Sequence, residues 1–455
     1  MQDLTTGSVT RHLLKTTGFM LVTMVVQTLY FLVDLFWVGR LGKESVAAVS
    51  VAGNLFFVVL AVSQMLAVGT TVLISHAAGQ KDRDRAVLVF NQSQVLGALV
   101  GLAFLVVATV TRGAYASALS ADAATARLAG EYLTWFIPAG ALQFAMVGMS
   151  AALRGIGTFK PGMVVQTATL LINIVLAPFL VFGWGTGRPL GVAGAALATL
   201  IAVAAGVVWL LTYFTRRGAY LRFTPADWRP RPDLWRAMLR IGLPAGAEFA
   251  LMAAYLVLVY AISRPFGAAA QAGFGIGLRI IQAGFMPVVA LGFAVAPVAG
   301  QNFGAGRPER VRETFRSAVT MAVGAMIVFA LLCNVAPAAL VRVFSSDAAV
   351  IAVGEEYLRI ISWNFIASGV VFVASSTFQG LGNTVPPLVS SFVRIVAVTI
   401  PTLLLAHAPG FRLVWIWYLS AASIVLQMIL SLWLLRREFR RRLAPAPAPA
   451  PSPAA

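Results

Sequence analysis

The sequence predicts an all-α integral membrane protein, with twelve transmembrane helices in two six-helix parallel repeats, an N-lobe and a C-lobe, around a central cavity. Three observations predict it. The composition is too apolar for a water-covered surface, with 59% hydrophobic and only 11% charged residues, where soluble proteins average about 45–50% and 25%. The apolar residues form long continuous runs, not alternating ten-residue strands, and lipid admits only helices or closed barrels. The two halves of the chain also repeat each other at one fixed offset, without a gap.

A helical span needs ~20 apolar residues. Runs of that kind fall near residues 16–38, 46–75, 86–111, 128–152, 162–184, 190–214, 241–264, 268–300, 312–336, 353–377, 387–407 and 412–435. The second and eighth are long enough to be tilted, bent or extended past the membrane. Trp37, Trp184 and Trp415 lie near span ends, where Trp anchors a helix at the interface. The N-terminus up to Leu14 is polar and lacks a small-residue cleavage site, so no cleaved signal peptide is expected.

The net charge of +18 would suggest nucleic acid in a soluble protein, but its placement argues otherwise. Of the 34 Lys and Arg residues, 23 fall on the side that holds both termini and the even loops, against 8 on the other. By the positive-inside rule both termini are then cytoplasmic. The longest basic loop, about 215–240, divides the chain. The expected domains are 1–225, the N-lobe with the first part of that loop, and 226–443, the C-lobe. The Pro/Ala tract 444–455 follows and is expected to be disordered.

The repeat supports this division. "SADAATARLAGEYL" (120–133) lies over "SSDAAVIAVGEEYL" (345–358), and "RGIGTFKP" (154–161) over "QGLGNTVP" (379–386). Gly42, Gly79 and Arg85 recur in the same register as Gly267, Gly304 and Arg310. Six spans per repeat is even, so both repeats enter from the same side and are related by an axis along the membrane normal. Such a pair of bundles can enclose a cavity that opens to one side at a time.

Several chemistries are disfavoured. Cys333 is the single cysteine, and His12, His76 and His407 are far apart, so disulfides, CxxC sites and zinc or histidine clusters are not expected. There is no phosphate-binding loop for ATP. No acid–base or nucleophile cluster occurs within the spans, so the chain is not expected to be an enzyme and no cofactor is expected.

Only Asp34 and Glu248, of sixteen acids, fall inside predicted spans, and an intramembrane carboxylate is a functional candidate by default. Thr23, Gln27, Tyr30 and Asp34 follow at spacings of four, three and four on one helix face. A carboxylate there can hold a proton or Na+; a structural alternative is that Asp34 is merely interfacial. Glu248 shares a face with Tyr255. Gln271, Gly275, Arg279 and Gln282 form a second stripe, in which Arg279 needs a partner at membrane depth. A Glu248–Arg279 pair and separate hydrogen-bond partners are equally compatible with the pattern. Gln27, Tyr30, Glu248, Tyr255, Arg279 and Gln282 are candidate cavity or lobe-pairing residues.

The chain resembles the multidrug and toxic compound extrusion (MATE) family, of the bacterial type. The resemblance covers about residues 10–436 and rests on Gln27-Thr28-Leu29-Tyr30, Asp34 and Val38-Gly39-Arg40-Leu41-Gly42, on "PVAGQNFGAGRPERV" (297–311), and on "LRGIGTFKP" (153–161) with "FQGLGNTVP" (378–386). It implies a monomeric multidrug efflux antiporter in the bacterial inner membrane. Amphiphilic, often cationic organic compounds would leave in exchange for H+ or Na+ by alternating access, with membrane lipids and small molecules as partners and no nucleic acid. It also implies that Asp34, Asn173 in "NIVLAP" and Thr199 in "GAALAT" share the coupling-cation site, H+ or Na+, as oxygen ligands suit a hard cation. A flippase for a lipid-linked oligosaccharide, from the same superfamily, is the alternative. Two departures matter. Ala177 stands where many relatives carry Asp, and Phe19 stands where they carry a first-helix proline, although the repeat mate Pro244 is present.

Overall fold

A computed structural model describes the chain except residues 186, 217, 264–265, 407–411 and 444–455. The expected disordered tail, Arg217, Arg264 and His407 lie outside the described residues. The rest is mostly helical, with no strand among the described residues. The N-lobe comprises α1 (Val9–Gly39), α2 (Lys43–Gly79), α3 (Arg83–Leu119), α4 (Ala123–Gly155), α5 (Lys160–Phe182) and α6 (Gly191–Thr215). The C-lobe comprises α7 (Pro232–Ser263), α8 (Ala268–Gly304), α9 (Pro308–Val335), α10 (Pro337–Arg342), α11 (Ala348–Ile361), α12 (Asn364–Gly380), α13 (Val385–Ala406) and α14 (Leu413–Arg442). Among the described residues eleven helices are long and apolar enough to cross a membrane, with α11 and α12, bent by 54°, a twelfth where the pair counts as one broken span.

The repeat is written into the helix starts. The first residues of α2, α3, α4 and α5 are the repeat mates of the first residues of α8, α9, α11 and α13, with no slip in register. The Asp-Ala-Ala match is a capping motif: Asp122 accepts from Thr125 N (2.7 Å), and Asp347 from the amides of Ala349 (2.8 Å) and Val350 (3.1 Å). Each satisfies amides that a helix start leaves unpaired. The hydrogen bonds from the Thr125 amide and hydroxyl hold the exposed Asp122 carboxyl below the usual carboxylate range.

The halves differ in two places. Helix α3 runs unbroken to Leu119, whereas its mate α9 stops at Val335, because Pro337 falls where the first half has Arg112. A proline there cannot continue the backbone ladder. The tenth span, expected as one run over 353–377, breaks at Ser362 and Trp363. Ser362 is fully buried, and its hydroxyl takes a 2.8 Å hydrogen bond from Asn334 Nδ2 on α9, which secures the break to its neighbour. Its counterpart α4 contains Pro138 and stays continuous.

The lobes meet closely at the basic end, where the N-terminal segment and the end of α14 lie. His76 Nε2 on α2 donates to the Gly380 carbonyl at the end of α12 (2.7 Å). Gln301 Nε2 on α8 donates to the Gly155 carbonyl at the end of α4 (2.9 Å). His76 and Gln301 are repeat mates, as are Gly155 and Gly380, so this is one hydrogen bond made twice about the repeat axis. Small residues allow the approach: a Cβ on Gly79 would meet the backbone of Gln301, and one on Gly304 the backbone of His76. This is the small-residue packing that brings membrane helices together.

The N-terminal segment before α1 lies across this seam. Gln2 N donates to Ile156 O (3.0 Å) in the N-lobe. Leu4, fully buried, donates its amide to Gln301 Oε1 (3.0 Å), and its carbonyl accepts from Asn302 Nδ2 (3.2 Å). Arg307 reaches Thr5 O (2.6 Å), and Arg310 reaches Gly7 O (3.0 Å). The basic inter-lobe segment is pinned to α3: buried Asn91 Oδ1 accepts from Thr224 N and Trp228 Nε1 (both 3.0 Å), and Gln92 Nε2 donates to Asp227 O (2.6 Å) and Arg229 O (2.7 Å).

Candidate functional site

Helix α1 is a single helix of 31 residues, and the stripe on its face divides by depth. Its outer half, Tyr30 and Asp34, enters a polar cluster inside the N-lobe. Helix α4 brings the Tyr132 hydroxyl to Asp34, and the Tyr30 hydroxyl lies beside Asp34 and Thr199. Helices α5 and α6 bring Asn173 and Thr199, joined by a 3.4 Å hydrogen bond from Asn173 Nδ2 to Thr199 Oγ1. The Thr199 hydroxyl donates onward to Ala195 O (3.2 Å). Asp34, Asn173 and Thr199, far apart in sequence, therefore come together.

Three oxygens in this cluster, Asp34 Oδ1, Tyr30 Oη and Asn173 Oδ1, are buried and have no hydrogen-bond partner among the described residues. Buried polar atoms are normally paired, and leaving one unpaired costs about 1–3 kcal/mol. Such a group fits a site that completes its bonding with a ligand. A carboxylate, an amide oxygen, a phenol and a hydroxyl are the donors a hard cation takes, and the carboxylate can equally take a proton. Ala177 is fully buried one turn beyond Asn173. The hydroxyls of Tyr132 and Tyr30 surround Asp34 instead of a second acid. The interfacial alternative for Asp34 does not fit its buried oxygen.

The inner half of the stripe, Thr23 and Gln27, lines a cavity of about 160 Å³ between α1, α2, α4 and α5, which Phe293 of α8 also lines. Asp34 lies seven residues beyond Gln27, about 10 Å along the helix. A wider depression of about 650 Å³ between α3 and α4, lined by Arg112, Asp122, Arg127 and Glu131, contains neither intramembrane acid.

The second acid sits in the C-lobe. Glu248 accepts from Ser375 Oγ on α12 (3.1 Å) and Ser391 Oγ on α13 (3.2 Å), and Ser391 also accepts from Gln427 Nε2 on α14 (3.0 Å). The Glu248–Arg279 pair is not formed: Arg279 is exposed, and serine hydroxyls take the place it would have had. Gln282 is exposed as well. Tyr255 bonds Ser420 Oγ (2.9 Å), and Arg394 stacks over its ring (5.1 Å). Glu248 and Tyr255 thus belong to the C-lobe interior, apart from the Asp34 cluster.

Sequence reasoning missed three features. Tyr132 carried a signal, the Glu-Tyr-Leu match, but its repeat mate Tyr357 packs against Phe274 and Trp417, so the repeat did not single out its role. His76 and Gln301 become informative only as a pair of repeat mates. Asn91 and Gln92 were visible as adjacent amides in an apolar run.

The family model MatE matches residues 20–179 and 244–405. A probable multidrug resistance protein of Bacillus subtilis strain 168, YoeA, is 26% identical over 419 residues, covering 90% of each chain. The probable multidrug resistance protein NorM of Thermotoga maritima is 26% identical, covering 83% of this chain and 81% of its own. Among solved structures, a MATE protein in a bent conformation superposes with a TM-score of 0.90 at 22% identity, over 96% of this chain and 97% of that one. A MOP superfamily transporter from Pyrococcus furiosus gives 0.88 at 22% identity, over 97% and 98%.

Proposed function

The chain belongs to the MatE family, a family of membrane transporters, and on that premise we propose that it is a secondary active efflux antiporter, not an enzyme. It moves amphiphilic organic compounds, cationic ones among them, out of the bacterial cytoplasm in exchange for H+ or Na+. The observation that carries this reading is the Asp34 cluster, with three buried unpartnered oxygens beside a cavity in the same lobe. Relatives named as multidrug resistance proteins support the substrate class.

The mechanism follows from the geometry. The coupling ion binds Asp34, with Asn173, Thr199 and Tyr30 as further oxygen donors; no resident cofactor takes part. An ion shifts the lobe equilibrium only by as much as its affinity differs between the two states. Inward movement of one charge supplies ~2.3 kcal/mol per 100 mV. We place both termini in the cytoplasm of a bacterial inner membrane, since 23 of 34 basic residues lie on that side. There the clasp of His76 and Gln301 closes the inner end. The monomer is the working unit in this reading, because one lobe contains the whole cluster.

Reconstitution into proteoliposomes with pH and Na+ gradients imposed separately tests this. Asp34→Asn is expected to abolish gradient-driven transport while the protein stays folded. Undiminished coupled transport by that variant would remove Asp34 from the mechanism.

A further inference from the structure

The cavity in the N-lobe contains one charged side chain, Arg154, at its floor near the basic end. No carboxylate pairs with it among the described residues, and its guanidinium makes no hydrogen bond there; its one aromatic partner is Phe293, at 6.0 Å. The guanidinium sits in the last turn of α4, where the helix dipole favours a cation without supplying a counter-ion for its hydrogen bonds. Nothing in the Asp34 mechanism uses it. It also escaped the charge census, where it counted as one more loop arginine.

The surroundings make it a receptor, not an accident of the helix end. Gln143, Val147, Ser150 and Arg154 follow at spacings of four, three and four along α4, so one face of that helix leads from polar amide to guanidinium. All four line the cavity. Gln64 and Gln166 add further hydrogen-bonding groups from α2 and α5, and Met20, Met24 and Met163 supply adaptable apolar wall. The next residue, Gly155, receives the clasp bond from Gln301. A negative group on Arg154 therefore sits immediately inside the closed end.

We propose that this cavity binds an amphiphilic organic anion or zwitterion, with its carboxylate or sulfonate on Arg154 and its apolar body against the methionines. The proposal rests on the reading that the N-lobe cavity, in the same lobe as the Asp34 cluster, carries the transported compound, and within the amphiphilic class it assigns this cavity to molecules with an acidic group, cationic ones included where they also carry that acid. A guanidinium is suited to it because its planar fork matches a carboxylate in two parallel hydrogen bonds. A purely cationic compound would meet Arg154 as a like charge.

Equilibrium binding of dansylglycine and of its uncharged methyl ester, to protein in phosphatidylcholine nanodiscs, tests this without any gradient. Wild type is expected to bind the acid about tenfold more tightly than the ester, as a charge-assisted hydrogen bond implies. Arg154→Gln should abolish that preference, and Arg154→Lys should keep part of it. Equal binding of acid and ester by wild type overturns the proposal, and needs no variant to fold. A preference that survives Arg154→Gln overturns it too. So does displacement of dansylglycine by a few mole per cent of phosphatidylglycerol, which would assign Arg154 to lipid headgroups. Absence of gradient-driven transport by wild type, with this preference intact, would count against the antiport reading alone, and coupled transport by wild type without the preference against the anion site alone.

Discussion

Replacing His76 and Gln301 with Leu removes both halves of the inter-lobe clasp and leaves the Gly380 and Gly155 carbonyls without those donors. Each lost hydrogen bond is worth about 0.5–1.5 kcal/mol net, and each unsatisfied buried carbonyl adds to that. The double variant should weaken the closed inner end by about 3 kcal/mol, roughly a hundredfold in the equilibrium. The two bonds hold one packed seam of α2 and α8, so the double variant against the two single ones measures their coupling. Gln301→Leu should have the larger share, because it also releases the Leu4 amide. The readout is a cysteine at Ser150, which lines the cavity, in a chain whose buried Cys333 has been changed to Ala. A membrane-impermeant maleimide is applied to vesicles exposing the basic face. Labelling should be slow in the parent, faster in each single variant, and at least tenfold faster in the double. An unchanged rate in a double variant with parental melting behaviour would show that the clasp does not hold the lobes shut, and that the seal rests on the glycine packing alone.

Two further outcomes follow from buried amides and serines. Asn91→Ala with Gln92→Ala frees the inter-lobe segment from α3, so tryptic cleavage after Arg222 should accelerate about tenfold, an opening cost near 1.4 kcal/mol; equal cleavage rates would mean other contacts hold the segment. Glu248→Gln keeps an acceptor oxygen for one of the two serines and turns an NH2 toward the other, whose hydroxyl must then accept, so stability in detergent should fall by about 1 kcal/mol, whereas Glu248→Leu should cost clearly more. A loss of several kcal/mol with Gln would point to an ionic partner that the serines do not provide.

Twelve spans, the repeat register and the two intramembrane acids were legible because each leaves a linear trace: an apolar run, a fixed offset, a charge where none belongs. The helices nonetheless outrun the predicted spans. For example, α3 covers Arg83–Leu119, not 86–111, because hydropathy reports membrane depth while the backbone ladder continues to the next cap. The break at Ser362 left no trace, since neither Gly nor Pro marks it. The "RGIGTFKP" and "QGLGNTVP" strings read as loop punctuation, and their meaning is steric. Gly155 and Gly380 pack against α2 and α8, where a Cβ would clash, and Gly157 and Gly382 end the helices at φ of 75° and 74°, a region glycine enters at no steric cost.

The symmetry itself separates machinery from chemistry. At the closing end the repeat is retained in function: His76 answers Gln301, and Gly155 answers Gly380. At the ion cluster it is kept for the phenols, Tyr30 and Tyr132 answering Tyr255 and Tyr357, and erased for the other donors. The repeat mates of Asp34, Asn173 and Thr199 are Val259, Val398 and Ile424, all buried and apolar. The mate of Arg154 is Gln379, and the mate of Glu248 is Thr23. A rocking motion needs two matching halves, so the contacts that guide it are duplicated. Ion binding needs one site with a defined stoichiometry, and a second buried carboxylate cluster would carry its own desolvation cost. Val259→Asp tests this division. It puts an acid into the C-lobe core, where Val398 and Ile424 stand in place of the amide and hydroxyl that Asp34 meets, and is expected to destabilise the C-lobe by several kcal/mol without adding a transported charge per cycle. A stable variant that moved twice the coupling charge would mean that the apolar mates, not the Asp34 cluster, set the stoichiometry.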